Sequence, residues 1–324
     1  MTLGAQEPAS SHPASRSEVS APRANRRSGH PTDPSSIRRY KLYFLLPGLI
    51  VLLLIILFPL LFTIRVSLSS WNVAQPGLDW IGGANYERLV ADERYWASLG
   101  RLALMAVGTV AIEYVLGFGL ALLVWREVRG RRFFRVLFLV PMMTTPVIMT
   151  VIWRTIFHES LGPANDVMAL LGLPAQEWLT SSGPAVVSVM IVEIWQWTPF
   201  MVLLLLAGLL SLPREPFLAA AIDGAGPVRT FFRVTFPLMG PISVGAIIIR
   251  LIEASKIMDT VYVLTSGGPG TATETSSYYI YIRGLRDFQI GYAASLSFAY
   301  LVIMIVSLTF IARALNRALV GRRA

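Results

Sequence analysis

Six long apolar segments constrain this chain more than any other feature, because each is long enough to cross a lipid bilayer as a helix. A membrane-spanning helix needs about 20 consecutive, mostly apolar residues. The segments are residues 42–64, 102–125, 136–153, 185–212, 238–264 and 292–311. Five of them contain at most one charged residue, and the fifth in chain order contains Arg250, Glu253, Lys256 and Asp259. The pattern predicts an all-α, polytopic membrane protein with six transmembrane helices.

Composition supports a bilayer as the solvent and excludes several kinds of chemistry. Hydrophobic residues make up 54% of the 324 residues and charged residues only 15%, whereas a soluble domain carries about 25% charged residues. The absence of cysteine excludes disulfides, thiolate metal sites and thiol catalysis. The three histidines, His12, His30 and His158, are too far apart in sequence to predict a metal site.

The net charge of +9 is distributed as a topology signal, and we do not interpret it as nucleic-acid binding. Arginine and lysine concentrate in the N-terminal tail, the 126–135 connection, the loop at 213–237 and the C-terminal tail. The intervening loops are poorer in both, so the positive-inside rule places both termini and the 213–237 loop in the cytoplasm. Residues 1–37 are rich in Ser, Pro, Ala and Arg, which predicts a disordered cytoplasmic tail before a membrane domain at 38–324.

The loop at 213–237 has more local structure than a plain connection needs. Its Ala-rich residues 215–222 predict a short helix, which Gly224 ends. Residues 228–236 predict a second short helix with an aromatic face, closed by Pro237. Such a pair of helices suits either an amphipathic hairpin on the membrane surface or a docking element for a partner protein, and the residues alone leave both open.

Polar groups inside the spans are the second feature, because ionisable groups at membrane depth are costly. Glu193 is close in sequence to Gln196, Trp197 and Phe200, and the four charges of the fifth segment recur every three residues. They suit an internal ion-pair ladder or the polar wall of a solute pathway, in which aromatic rings stack on sugars and polar groups bind hydroxyls. We favour the pathway, and we interpret the lone Glu113 as structural.

Four sequence motifs occur in an order that identifies a family. They are LAAAIDGAG at 218–226, YVLTSGGPG at 262–270, WIGGANYERL at 80–89 and IGYAASLS at 290–297. From about Lys41 to its C-terminus the chain resembles the membrane permease subunits of ABC importers of the carbohydrate-uptake class, such as maltose, trehalose and glycerol-phosphate systems. It departs from the family's Glu-Ala-Ala loop motif because Leu218 replaces the leading acid, although Glu215 lies about one helical turn earlier.

The resemblance implies a type I ABC importer permease (MetI-like) fold in a bacterial inner membrane. It implies a non-catalytic subunit that binds no cofactor, with ATP and Mg on two copies of a cytoplasmic ATP-binding partner. The other implied partners are a second permease subunit in a heterodimer, an extracytoplasmic solute-binding protein, a sugar-like solute and membrane lipid, with no nucleic acid.

Two sets of functional residues follow from the resemblance. The residues that would couple the loop to the ATPase are Glu215, Ala219, Ala220, Ala221, Asp223, Gly224, Ala225, Gly226, Phe231, Phe232 and Pro237. The residues that would line the substrate pathway are Glu193, Gln196, Trp197, Phe200, Arg250, Glu253, Ala254 and Ile257.

Two other classes of protein fit the sequence less well than the permease. An ion-coupled secondary transporter or channel would explain the charges of the fifth segment, but no inverted repeat is visible. A membrane enzyme has no support, because the chain lacks a nucleophile–base constellation and a nucleotide motif, and we interpret Asp92-Glu93 as a solvated loop. Arg250 and Lys256 fit an acidic or phosphorylated sugar, or simply neutralise Glu253 and Asp259.

Overall fold

The computed structural model describes residues 34–72, 77–125 and 139–321, and within them the regular structure is helical, with no β-strand. Residues 1–33 of the expected tail and residues 126–138 lie outside this part. The helices are α1 Pro34–Ser67, α2 Ala84–Val90, α3 Glu93–Trp125, α4 Pro146–Ile156, α5 Pro163–Leu170, α6 Ser182–Leu210, α7 Glu215–Ile222, α8 Pro227–Thr230, α9 Phe236–Leu238, α10 Gly240–Ala254, α11 Asp259–Leu264, α12 Ser276–Tyr281 and α13 Ile290–Leu319. The expectation of an all-α chain is confirmed for these residues.

Four helices in the described residues are long and apolar enough to span a membrane. They are Tyr43–Ser67 within α1, then α3, α6 and α13, with mean hydropathies of 3.0, 2.0, 1.8 and 2.2. A fifth span is present if Pro227–Leu238 and Gly240–Ala254, which meet at an angle of 64°, are counted as one. The six uninterrupted spans expected from the sequence are therefore not confirmed.

The third expected span, 136–153, is interrupted. Its first residues lie outside the described part, and α4 is only 11 residues long. Thr145 has an extended backbone (φ −66°, ψ 129°) before Pro146, because proline disfavours helical geometry in the residue that precedes it. The apolar composition of this segment predicted a continuous helix, which Pro146 interrupts.

The fifth expected span, 238–264, is also interrupted, because α10 ends at Ala254 and α11 begins at Asp259. Side chains compensate the carbonyls that the break frees. Tyr300 and Ser277 donate hydrogen bonds to the carbonyl oxygen of Ser255, and Thr275 donates to that of Ile257 at 2.8 Å. A broken helix at membrane depth is stable only when its free backbone groups are bonded in this way.

The chain divides into two compact units, Met1–Phe58 and Pro59–Ala324. In the first unit the side chains of 43–58 are exposed along the whole segment. The second unit contains the buried core, in which α3 packs lengthwise against α6. The two helices lie close together at Gly117, where an added Cβ would lie 2.7 Å from Cγ and 2.9 Å from Cβ of the fully buried Met201.

Gly117→Ala tests this close approach, with Gly119→Ala as the matched control in the same helix. A Cβ at Gly119 would meet nothing within 4 Å, so that change should leave stability unchanged or raise it slightly through helix propensity. Gly117→Ala should lower the free energy of unfolding by about 1–3 kcal/mol through overpacking. Thermal unfolding of the purified protein in detergent measures both, and equal melting temperatures would contradict the packing.

Candidate functional site

A buried ion cluster joins α3 and α6 to the shorter helices α10 and α11. Arg250 on α10 donates through Nε to Glu113 Oε2 of α3 at 2.7 Å and through Nη2 to Glu113 Oε1 at 2.9 Å. Nη2 also donates to Glu193 Oε2 of α6 at 3.2 Å. Thr260, on α11 beyond the helix break, donates to Glu193 Oε1 at 2.6 Å. We call Glu113, Glu193, Arg250 and Thr260 the ion cluster.

The ion cluster is buried from solvent, so each of its charged groups needs a partner of opposite charge within the protein. The relative exposures of Glu113, Arg250, Thr260 and Glu193 are 0%, 0%, 2% and 5%. The guanidinium carbon of Arg250 also lies 4.8 Å from the centre of the Trp197 ring. Removing one partner of a buried pair costs about 3–5 kcal/mol because a buried charge is left uncompensated. The ion cluster therefore fixes how α3, α6, α10 and α11 sit together.

Most of the residues predicted to line a substrate pathway are buried. Glu193, Gln196, Arg250, Ala254 and Ile257 are all at most 5% exposed. Trp197, Phe200 and Glu253 are partly exposed, so only these three are open to a solute in this conformation. The role of the whole set as a pathway stays a prediction.

The four charges of the fifth segment do not pair with one another as an internal ion-pair ladder. Arg250 turns away from Glu253 to bind carboxylates on α3 and α6, and Glu253 pairs with Lys256 at 2.8 Å instead. Sequence reasoning did not identify Glu113 as the partner of Arg250. The signal was present, because a single acid in an apolar span requires a countercharge on another span.

The segment 213–237, which we call the Gly224 loop, has the helix–turn shape predicted for it. Helix α7 covers Glu215–Ile222, and Gly224 has φ +70°, a conformation that favours glycine. The amide of Ala225 donates to the carbonyl of Ala220 at 2.9 Å and that of Gly224 to Ala221 at 3.1 Å. This pair of bonds is the Schellman motif, which ends helices at a left-handed glycine.

The second half of the Gly224 loop differs from the prediction. Helix α8 begins at Pro227, a π-helical turn covers Phe231–Thr235, and α9 covers Phe236–Leu238. Pro237 therefore does not close the helix. It lies within the helical run Pro227–Leu238, directly after the π-helical turn, and the chain bends after it, between Leu238 and Gly240.

The aromatic and apolar residues of the loop divide into two sets. Phe231 packs against Phe118 of α3 with ring centres 5.6 Å apart, and Phe217 packs against Trp125 at 5.7 Å. A second set is exposed by more than 60%, namely Leu218, Ile222, Val228 and Phe232. Among the three loop alanines, Ala220 is buried while Ala219 and Ala221 are exposed. One set anchors the loop to α3 and the other forms an uncovered apolar surface.

A polar cluster at the start of α3 was missed by sequence reasoning. Asp92 accepts hydrogen bonds from the hydroxyls of Tyr279 at 2.6 Å and Tyr292 at 2.5 Å, and from the amide of Tyr95 at 3.1 Å. Burial by itself raises the pKa of Asp92, but these bonds outweigh it and hold the pKa below its usual value. Burial and the bond to Asp92 raise the pKa of Tyr279 to about 12. Asp92 is thus an ionised acceptor that ties α3 to α12 and α13, and its interpretation as part of a solvated loop is wrong.

Comparisons with known proteins agree on one family. A family model described as the inner membrane component of binding-protein-dependent transport systems matches residues 113–324. The trehalose/maltose transport system permease protein MalF of Thermococcus litoralis is 34% identical over 268 residues, 82% of this chain and 91% of the relative. The trehalose transport system permease protein SugA of Mycobacterium tuberculosis is 32% identical over 262 residues, 80% of this chain and 83% of the relative.

A solved structure supports the fold. A chain in the crystal structure of a bacterial ABC transporter involved in the import of the acidic polysaccharide alginate superposes with a TM-score of 0.74. It is 21% identical, and the match covers 87% of this chain and 97% of that one.

A double-mutant cycle tests the ion cluster. Arg250→Gln and Glu113→Gln should each lower stability strongly, and the double variant should lose less than the sum by about 0.5–3 kcal/mol, because contacting residues are coupled. Thermal unfolding of the purified protein measures the cycle. Arg286→Gln, at an exposed arginine, is the control and should have almost no effect. Additive losses in the double variant would show that Arg250 and Glu113 do not interact.

Proposed function

The chain belongs to the inner membrane components of binding-protein-dependent transport systems, the ABC importer permeases, and we propose that it forms one half of the pathway for a sugar-like solute. The observation that carries this proposal is the family match over residues 113–324, which include both the ion cluster and the Gly224 loop. Relatives named for trehalose and maltose transport, 32% and 34% identical, support a sugar as the solute. The comparisons give no support to an ion-coupled secondary transporter.

The partners follow from this assignment. A second permease subunit would complete the pathway, an extracytoplasmic binding protein would deliver the solute, and two ATP-binding subunits would supply ATP and Mg. The chain itself would be non-catalytic and would bind no cofactor. The arginine-rich loops support a multi-pass bacterial inner membrane protein with both termini in the cytoplasm.

The Gly224 loop would be the element that docks on an ATP-binding subunit. Its support is the exposed apolar set, because Leu218 and Ile222 lie one helical turn apart on α7 and are 63% and 87% exposed. Apolar side chains on one helical face suit a groove on a partner protein. Leu218, which stands where the family motif has an acid, would replace an ion pair by an apolar contact. Phe231 and Phe217 would transmit the docking force to α3.

Solute movement requires that the helices change their arrangement together. The ion cluster links α10, which follows the Gly224 loop, to α3 and α6, so movement of the loop would reach the middle of the spans. Trp197, Phe200 and Glu253 are the partly exposed members of the predicted pathway set. They would present aromatic and hydrogen-bonding groups to a sugar, while the buried members would position them.

Gly224→Asp tests the docking role, and Gly172→Asp is its matched control. Both glycines have φ +70° and a Cβ at either would meet nothing within 4 Å, so the two changes impose the same backbone strain. Gly172 follows α5, outside the Gly224 loop. Gly224→Asp should reduce solute-dependent ATP turnover by tenfold or more because it adds strain and a charge at the docking turn, whereas Gly172→Asp should retain turnover. The measurement is ATP hydrolysis by the reconstituted complex, and equal turnover in both variants would contradict docking through this turn.

A transport assay tests the class of function. Proteoliposomes that contain the chain, its second permease subunit and the ATP-binding subunits should take up radiolabelled trehalose or maltose only with binding protein outside and ATP inside. Uptake by this chain alone, driven by a proton or sodium gradient, would contradict an ABC importer. Empty liposomes and a complex without ATP are the controls.

A further inference from the structure

The connection between α4 and α6, residues 157–181, exposes aliphatic side chains at the end of α6 that is opposite the Gly224 loop. We call this connection the α5 loop. Val167, Leu170 and Leu171 lie three and four residues apart on α5, so they share one face of that helix. They are 50%, 87% and 65% exposed, and we call them the aliphatic face. An exposed apolar face of this kind marks contact with a protein or a membrane.

The side chain of Asn165 holds the α5 loop in a fixed shape. Its Nδ2 donates to the carbonyl oxygens of Glu159 at 2.9 Å and of Gln176 at 3.1 Å. Its Oδ1 accepts from the backbone amide of Gln176 and from the indole of Trp178, both at 2.9 Å. One carboxamide thus bonds three backbone groups, which is what an irregular segment needs where little water reaches it. The aliphatic face is therefore carried by a preformed structure.

A further hydrogen bond gives the depth of the α5 loop along α6. The hydroxyl of Ser188 donates to the carbonyl oxygen of Trp178 at 2.9 Å, so Trp178 is level with Ser188. That residue is about 9 Å from the end of α6 at Ser182, at about 1.5 Å per residue.

This depth corresponds to the edge of a bilayer. Helix α6 has 29 residues, so it is about 43 Å long, and a hydrocarbon core of about 30 Å centred on it would leave about 7 Å outside at each end. Trp178 is then at the boundary between headgroups and acyl chains, where tryptophan is enriched in membrane proteins. Because the Trp178 indole bonds Asn165 within α5, α5 lies at the same level.

The chemistry of the α5 loop favours lipid over a protein as the partner of the aliphatic face. Protein interfaces are anchored by Trp, Tyr and Arg side chains. The Phe and Trp residues of the loop, Phe157 and Trp178, pack together in the core with ring centres 5.3 Å apart, and they are only 2% and 8% exposed. Residues 157–181 contain no Arg or Lys. The aliphatic face therefore offers apolar contact alone, which acyl chains match.

We infer that α5 is an interfacial helix whose aliphatic face inserts into the lipid leaflet opposite the Gly224 loop, the outer leaflet in the proposed orientation. At about 100° per residue, Val167 and Leu171 lie on one edge of the exposed face of α5, and Asp166 and Ala169 lie on the other. The first edge faces the acyl chains and the second faces water, as in other amphipathic helices that lie in the membrane interface. Because the loop has no cation, apolar burial and not attraction to anionic headgroups holds it there.

The absence of cysteine from the chain allows a direct test of depth by electron paramagnetic resonance. V167C, L171C and A169C are made singly, assembled with cysteine-free partner subunits in lipid nanodiscs and labelled with a nitroxide. Power saturation then measures how often each label collides with oxygen and with the water-soluble chelate Ni(II)-EDDA. A169C is the matched control, because Ala169 is exposed on the same helix at the opposite edge. L104C, 65% exposed on α3, is the reference for a label in lipid.

We expect the ratio of oxygen to Ni(II)-EDDA accessibility at V167C and L171C to exceed that at A169C by roughly threefold or more and to approach that at L104C, because an interfacial helix buries one edge among acyl chains. An excess of solute-binding protein should leave these ratios unchanged. High Ni(II)-EDDA accessibility at V167C and L171C would place the face in water. Low accessibility to both reagents, or a loss of oxygen accessibility on adding binding protein, would place it against protein. Either result overturns the inference, and if one variant fails to assemble, the other decides between the same outcomes.

Discussion

The pairing of Arg250 with Glu113 and Glu193 is the interaction on which the arrangement of the spans depends. A guanidinium group that is 0% exposed is stable only because two carboxylates surround it, and each comes from a different helix. The same Glu193 accepts a bond from Thr260 across the break between α10 and α11. One buried cation thereby sets the register of α3 against α6 and decides which side of the broken helix faces the core.

The side of the broken helix that faces the core decides which residues of the fifth segment are exposed. With Arg250, Ala254 and Ile257 turned inward, the remaining polar residues of the fifth segment are turned outward, where lipid does not suit them. At the other end of α10, the Gly224 loop is anchored to α3 by Phe231 and Phe217, while Leu218 and Ile222 stay uncovered. The loop with its exposed apolar surface and the outward polar residues of the fifth segment are thus both attached to α10, which the ion cluster fixes against α3 and α6.

Local features of the chain were predictable because they depend on neighbours in sequence. The Ala-rich run predicted α7, and Gly224 predicted its end, because the left-handed turn there favours glycine. The four long helices follow from the length of their apolar runs. The same reasoning wrongly predicted continuous spans at 136–153 and 238–264, which the structure interrupts at Pro146 and after Ala254. Hydropathy reports only composition and carries no information on whether the backbone is continuously helical.

Pairings between distant residues were not predictable in the same way. The three-residue spacing of Arg250, Glu253, Lys256 and Asp259 suggested a ladder along one helix, and Asp92 looked like part of a solvated loop. In the structure Arg250 binds residues 57 and 137 positions away, and Asp92 binds tyrosines 187 and 200 positions away. The motifs at 218–226 and 262–270 nevertheless identified the family, since they are local.

The sequence by itself determined that this chain is a helical membrane protein, that its Gly224 loop turns at a glycine, and that it resembles the ABC importer permeases. These properties follow from apolar length, backbone preference and short motifs, all of which act over a few residues. Only the tertiary structure decided which charges are buried partners and which are exposed, because a charge in a membrane is paired by whichever helix packs beside it. Because of that packing, Arg250 is buried between Glu113 and Glu193, whereas Lys256 and Asp259 are exposed.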